Sequence, residues 1–261
     1  MELRRYPMHY NISVRYRYRA ISRMLKPGPQ KRLLDVGCGL GYMTARLSGR
    51  FQATGIDLDK DCIRFAADQD PKGKYMVADA GKKLPFKDDT FDYVISSEVI
   101  EHVEDDRLFL NEIRRVLKPG GLAVITTPSS EGLVKVSDKC HKHGLEKHFR
   151  EDYTRKELVS RFLEAGFRVA SVSYSMILFT QLFMELTKSV YSKKDKAFSK
   201  QSDILKANSS TMFKVYKSLF FIPMLLIYVD EFMSLFLKGA NILVAGRKRQ
   251  AGPGSRNTSL T

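Results

Sequence analysis

The stretch Leu33-Leu34-Asp35-Val36-Gly37-Cys38-Gly39-Leu40-Gly41 constrains this chain more than any other. An apolar run ends in an acid, glycine then recurs at every second position, and a helix-like segment follows from Tyr42 to Gly49. That order reads as a buried parallel strand, a tight turn and a helix N-terminus. Glycine is required where a backbone takes φ > 0 or lies flat against a ligand. A helix start adds unpaired N–H groups, so the loop suits the polar, carboxylate-bearing end of a ligand. The spacing is not that of a dinucleotide fold. In G-x-G-x-x-G terms Gly37 and Gly39 fit, but the sixth position is Tyr42 and the third glycine comes one residue early.

The following segments repeat the same plan. Ala53–Asp57 reads as a second buried strand ending in an acid, about twenty residues past the loop, where a carboxylate accepts from ribose hydroxyls in nucleoside-binding folds. Asp59 is the better cap for the helix that follows (Asp59 to Ala67), which leaves Asp57 for ligand. Tyr75–Ala80 is a third strand carrying Asp79, placed to accept an exocyclic amine. Tyr93–Ser97 is a fourth strand. Asp105–Leu117 is an amphipathic helix with Leu108, Ile113, Val116 and Leu117 on one side, stopped by Lys118-Pro119-Gly120-Gly121. Leu122–Thr127 is a further strand. Strands alternating with helices predict an open parallel sheet whose ligands lie beyond the C-terminal strand ends. Asp35/Gly37, Asp57, Asp79 and Ser96–Glu98 all fall there, around one crevice.

With 261 residues, 43% apolar and 28% charged, the chain suits one large α/β domain with an excursion. The formal charge of +15 implies an anionic partner and leaves nucleic acid, a membrane surface and an acidic substrate open. Cys38, Cys62 and Cys140 are odd in number and scattered, as free thiols in a reducing compartment would be. No apolar leader follows the N-terminal arginines and no run of about twenty apolar residues occurs, so the expected location is cytoplasmic, with association at a membrane surface left open.

Asp35 followed by the glycine loop resembles motif I of the class I S-adenosylmethionine (SAM) dependent methyltransferases. The run VADA…LPFKDDTFDYVISSEVIEHVED and then Leu117–Ile125 are similar to the later motifs of the branch that includes quinone and small-molecule methyltransferases. Four motifs in order cover residues 33–127, about a third of the chain. The resemblance implies a Rossmann-like, seven-stranded, mostly parallel sheet with an antiparallel last strand. It also implies SAM as cofactor, held by Asp35, Gly37, Cys38, Gly39, Gly41, Asp57, Leu58, Asp79, Ala80, Ser96, Ser97 and Glu98. It assigns no shared catalytic residue. His102, which follows the fourth strand within the shared motifs, is the candidate general base for a hydroxyl acceptor, and anchoring of the local turn is its alternative role.

Outside the shared motifs, residues 1–32 form a basic leader with interleaved tyrosines and a helix over about 13 to 25, closed by Lys26-Pro27-Gly28-Pro29. The core is expected over 33–175, with a capping box at Thr154 and Glu157 starting a helix that Gly166 ends. Arg168–Tyr174 and Asn241–Arg247 suit the family's final strand pair. Between them, residues 176–238 hold two apolar helical stretches, Met176–Val190 and Met212–Leu237, joined by a linker containing Lys193, Lys194, Lys196, Lys200 and Lys206. Topology makes this insertion a lid over the site. The run Leu219–Val229, apolar on all sides and interrupted by Pro223, is too short to span a bilayer. It fits a buried helix, an interfacial segment beside an anionic membrane, or a homodimer contact. Residues 248–261 read as a disordered tail. Cys140, His141, His143 and His148 lack the paired spacing of a zinc site, so no metal is expected.

The expected function is methylation of a small or lipid-linked acceptor, at oxygen or carbon. RNA methylation by way of the basic leader and a non-catalytic SAM-fold subunit are the alternatives. Ser96-Ser97-Glu98-Val99 stands where amino-group methylases of nucleobases carry an Asn-Pro-Pro-Tyr type tetrapeptide, which disfavours nucleic acid.

Overall fold

The computed structural model describes residues 11–133, 149, 152–182 and 221–250, the side chains of 221–223 excepted. Within them the order is α1 (Ile12–Met24), β1 (Arg32–Val36), α2 (Tyr42–Leu47), β2 (Gln52–Asp57), α3 (Lys60–Gln69), β3 (Lys74–Val77) and β4 (Phe91–Ser97). A one-turn helix (Ile100–His102) follows, then α4 (Asp106–Val116), β5 (Leu117–Pro128), α5 (Arg155–Glu164), β6 (Phe167–Ser175), α6 (Phe221–Met233) and β7 (Asn241–Lys248).

The strands form one sheet in the order β3-β2-β1-β4-β5-β7-β6. β1 pairs in parallel with β2 and β4, β2 with β3, and β4 with β5. β7 runs antiparallel between β5 and β6, so β6 points the same way as the core strands. The expected Rossmann-like sheet with an antiparallel last strand is therefore present. Both faces are covered, which is why the strands read as apolar runs rather than alternating ones. Leu34, Val36, Val94 and Ile125 pack against α4 and α5 through Phe109, Ile113, Leu158 and Phe162. Leu33, Tyr93, Ile95 and Val124 face the layer of α1, α2 and α3 through Ile21, Leu47 and Cys62.

The helix starts follow local chemistry. Asn11 accepts from the Val14 N–H to begin α1, and Asp59 accepts from Asp61 and Cys62 to begin α3. Asp105 does the same for α4, and Thr154 with Glu157 closes the expected capping box on α5. One face assignment fails. α4 buries Phe109, Leu110, Ile113 and Val116, while Leu108 is 39% exposed. Leu108 precedes Ile113 by five residues, which at about 3.6 residues per turn places it on the far side of the helix. Leu117 is buried, but as the C-cap leading into β5.

The insertion leaves β6 and returns into β7 at the end of the sheet where β1, β2 and β4 also finish. Met176 takes φ 56°, so the first stretch is not helical from its start. The turn at 179–182 is helical, and 183–190 lie outside the described residues. Of the second stretch, α6 supplies Phe221–Met233 and 212–220 lie outside. Buried Asp230 of α6 accepts from the backbone N–H groups of Leu178, Phe179 and Thr180 and from the Thr180 hydroxyl, tying the two ends of the insertion together. α6 packs on α1 through Ile12, Tyr16 and Ile227. No helix among the described residues is long and apolar enough to cross a membrane. Cys38 and Cys62 carry free thiols. Cys140 and the three histidines at 141, 143 and 148 lie outside the described residues, as does the tail from 251.

Candidate functional site

The loop from β1 to α2 has three left-handed residues in alternation, Gly37 (φ 73°), Gly39 (φ 51°) and Gly41 (φ 76°). An L side chain is strained at each, and two positions also lack room. A Cβ on Gly37 would lie 2.2 Å from Cγ2 of Val99, and one on Gly41 2.5 Å from Cβ of Ala66. The N–H groups of Gly37 and Cys38 both donate to the Ile56 carbonyl, at 2.8 and 2.9 Å, which pins the loop across the end of β2.

Two carboxylates sit under this loop. Asp35 is buried and accepts from the Thr44 hydroxyl of α2 at 2.6 Å. Burial pushes its pKa up to about 7, with the field of Asp57 adding and the Thr44 hydrogen bond opposing. Asp57, at the end of β2, accepts from the Gly39 N–H at 2.7 Å and from the Asp59 N–H at 2.9 Å. Its pKa is also raised by burial. Asp59 caps α3 as expected, and both oxygens of Asp57 already hold backbone donors. Each oxygen carries a second lone pair, so Asp57 still has acceptor capacity. Burial and the fields of Asp35 and Asp57 push the Cys38 thiol up in pKa, and Cys38 lines the crevice.

At the end of β3, Asp79 accepts from the Gly81 N–H at 2.8 Å, and Ala80 packs partly on the core. Leu58, just past β2, and Val77, the last residue of β3, stand exposed. At the end of β4, Ser96 is turned inward and donates to the Val36 carbonyl, whereas Ser97 meets the Thr126 hydroxyl at 3.0 Å. Glu98 holds φ 59°, a strained value for a residue with a side chain. Its carboxylate is fixed by Asn241 of β7 at 2.8 Å and lies 3.5 Å from Nη1 of Arg17.

Asp35, Gly37, Cys38 and Ser97 line a single crevice, which Val14 and Arg17 of α1 and Tyr42 and Met43 of α2 help to close. Arg17 is the functional candidate that the motifs missed. Its Nη1 donates to Ser13 at 2.7 Å, while its Nε is buried without a hydrogen-bond partner. An unpaired guanidinium N–H in the crevice suits a carboxylate, and the pair Asp35 and Asp57 suits cationic and hydroxyl groups. The residues thus fit a nucleoside-linked amino acid. The signal available in the sequence was the helical spacing of Ser13, Val14 and Arg17, which puts them on one face of α1. His102 is half-buried on the one-turn helix, its N–H donating to Val99 O, and does not line this crevice. Its neighbour Glu101 is buried, accepts from Thr127 at 3.0 Å and has its pKa driven up by burial and by Glu98.

Residues 34–125 match the family described as methyltransferase domain. The biotin biosynthesis bifunctional protein BioHC of Cellvibrio japonicus is 30% identical over 60% of this chain and 32% of its own length. The mitochondrial ubiquinone biosynthesis O-methyltransferase of Rattus norvegicus is 38% identical over 39% of this chain and 32% of its own. The chain thus spans about a third of the length of these curated relatives. In fold it is similar to Haemonchus contortus phosphoethanolamine N-methyltransferase 2, solved with S-adenosyl-L-methionine. The TM-score is 0.59 at 23% identity, over 90% of this chain and 52% of that one. The motif order, the sheet order and the matched segment agree: residues 34–125 match the methyltransferase domain family, and the chain has a Rossmann-like fold similar to that of solved methyltransferases.

Proposed function

We propose that the chain binds SAM in the crevice above β1, β2 and β4 and directs methyl transfer to a small acceptor, lipid-linked in the reading its apolar insertion favours. One observation supports this: Asp35, Gly37 and Cys38 of the glycine loop and Arg17 of α1 line one crevice, and Asp57 is tied to the same loop through the Gly39 N–H. When bound, SAM supplies an electrophilic methyl on a sulfonium. The chain's own contribution is to bind and align. Arg17 would hold the methionyl carboxylate beside the glycine loop, Asp57 the ribose, and Asp79 and Ala80 the base, with Leu58 against its face. Ser97 and Glu98 would border the acceptor side. The insertion starts and ends at this rim and serves as the lid that excludes water. For a hydroxyl acceptor we assign proton removal to His102, on its position after β4 alone.

The leader helix speaks against the RNA reading. Arg17 faces the crevice, and Arg19 and Arg23 both pair with Glu231 of α6 at 2.6 and 2.9 Å, so these arginines serve contacts within the chain. The test incubates the protein with methyl-labelled SAM and a total cell extract and separates lipid, RNA, protein and water-soluble fractions. Label in the organic or small-molecule fraction is expected. Label confined to RNA overturns the acceptor class, and no label together with no SAM binding by titration overturns the whole reading.

A further inference from the structure

Glu98 holds φ 59°, a left-handed conformation that glycine takes freely and a residue with a side chain takes at a cost. Its carboxylate is anchored by one oxygen. Oε1 accepts from Nδ2 of Asn241 at 2.8 Å and more distantly from the Thr126 hydroxyl at 3.4 Å, while the Glu98 N–H donates to the Thr126 carbonyl at 2.9 Å. Asn241 opens β7, directly after the insertion returns to the sheet. Oε2 accepts no hydrogen bond among the described residues; its neighbour is Nη1 of Arg17, at the ion-pair distance of 3.5 Å. The Glu98 side chain is 25% exposed, follows Ser97 and faces Arg17, and both of those residues line the crevice.

We infer that Oε2 of Glu98 selects the acceptor by taking a hydrogen bond from the O–H or N–H of the group to be methylated. This rests on the SAM site proposed above and adds the chemistry of its second substrate. Set against Arg17, the carboxylate is an acceptor only, so the group it receives has to carry a proton. A hydroxyl or an amine meets that demand. A carboxylate acceptor is turned away, because it would set two anions against each other. The neighbouring Glu101 is buried and its pKa is pushed up, by burial first and then by Glu98, so the negative charge at this corner is that of Glu98. The strained backbone and the contacts from β5 and β7 hold Oε2 in place before any acceptor arrives, which is how a specificity contact is preorganised.

The test compares the parent with Glu98→Gln. Glutamine keeps the size of the side chain and an oxygen for Asn241, but puts an NH2 donor in place of Oε2. Both proteins are incubated with methyl-labelled SAM and a total cell extract. The labelled product is then treated with mild alkali, which frees the methyl of an ester as methanol and leaves methyl ethers and methylamines intact. Alkali-stable label is expected, formed at least about tenfold more slowly by the variant. SAM titration and thermal unfolding, both read without acceptor, should give the variant an affinity and a stability no lower than the parent's; a merely structural role for Glu98 would lower one or both. Alkali-labile label, or label on carbon by mass spectrometry, overturns the inference. So does a variant that labels at the parent's rate, or one that loses label only in step with SAM affinity. A parent that binds no SAM would strike the site reading first and this inference with it.

Discussion

Replacing Gly37 by alanine tests whether the loop is held by its packing or only by its own conformation. The position sits at φ 73°, and a left-handed conformation costs an L residue about 1–2 kcal/mol. The added Cβ would also stand 2.2 Å from Cγ2 of Val99, with Cβ and Cγ1 of Val99 each at 3.3 Å. Val99 is β-branched and stiff about χ1, so rotation cannot clear the contact and the backbone has to move. Overpacking of this kind costs about 1–3 kcal/mol, giving a total of about 2–5 kcal/mol. Val99→Ala removes Cγ1 and Cγ2 and should recover the packing part while leaving the φ strain. Urea unfolding of the parent, both single variants and the double variant is therefore expected to show a favourable coupling of about 1–3 kcal/mol. SAM titration of the same four proteins should show Gly37→Ala binding weakly, with part of the affinity returned in the double variant. Additivity within about 0.5 kcal/mol would refute the argument, since it would mean that the loop moves without meeting Val99.

Asp57→Ala should weaken SAM binding at least about tenfold, because it removes both a ribose acceptor and the anchor of the Gly39 N–H; unchanged affinity in calorimetry would remove the ribose assignment. Arg17→Ala should lower SAM affinity by about tenfold or more, and Arg17→Lys should not restore it, since lysine has no Nε–H in a planar fork. A lysine variant equal to the parent would show that only charge matters there. Asp35 governs a pH dependence whose sign follows from its raised pKa of about 7. Between its unfolded value and about pH 7 the folded state keeps a proton that the unfolded state has lost, so its contribution to stability falls as pH rises through that window. Relative to Asp35→Asn, the parent should lose about 2–3 kcal/mol in urea unfolding from about pH 5 to about pH 8; parallel profiles would mean that Asp35 is not a buried ionising group.

The glycine loop and the helix starts were legible because the interactions that decide them are local. The acid at a strand end, the glycine alternation and the caps at Asp59, Asp105 and Thr154 are decided by residues within a few positions of one another, and all appear where spacing put them. Leu108 went wrong because a face was read from apolar identity without following the turn from Ile113. The Gly39 amide bound by Asp57 was not legible, because that contact reaches across 18 residues of the chain.

Sequence alone determined the βα order, the glycine loop and the acids at strand ends, since each rests on periodicity or on a backbone demand that a single residue type meets. Tertiary structure alone decided three things. It brought Arg17 of the leader helix into the crevice and left its Nε unpaired. It joined Glu98 to Asn241, 143 residues away along the chain. It also turned α6 so that Asp230 and Glu231 face inward and Phe232 faces out. An all-apolar stretch has no moment strong enough to choose its own inner face. The choice fell to the few polar groups that found buried partners in other elements, and those partners exist only once the sheet has formed.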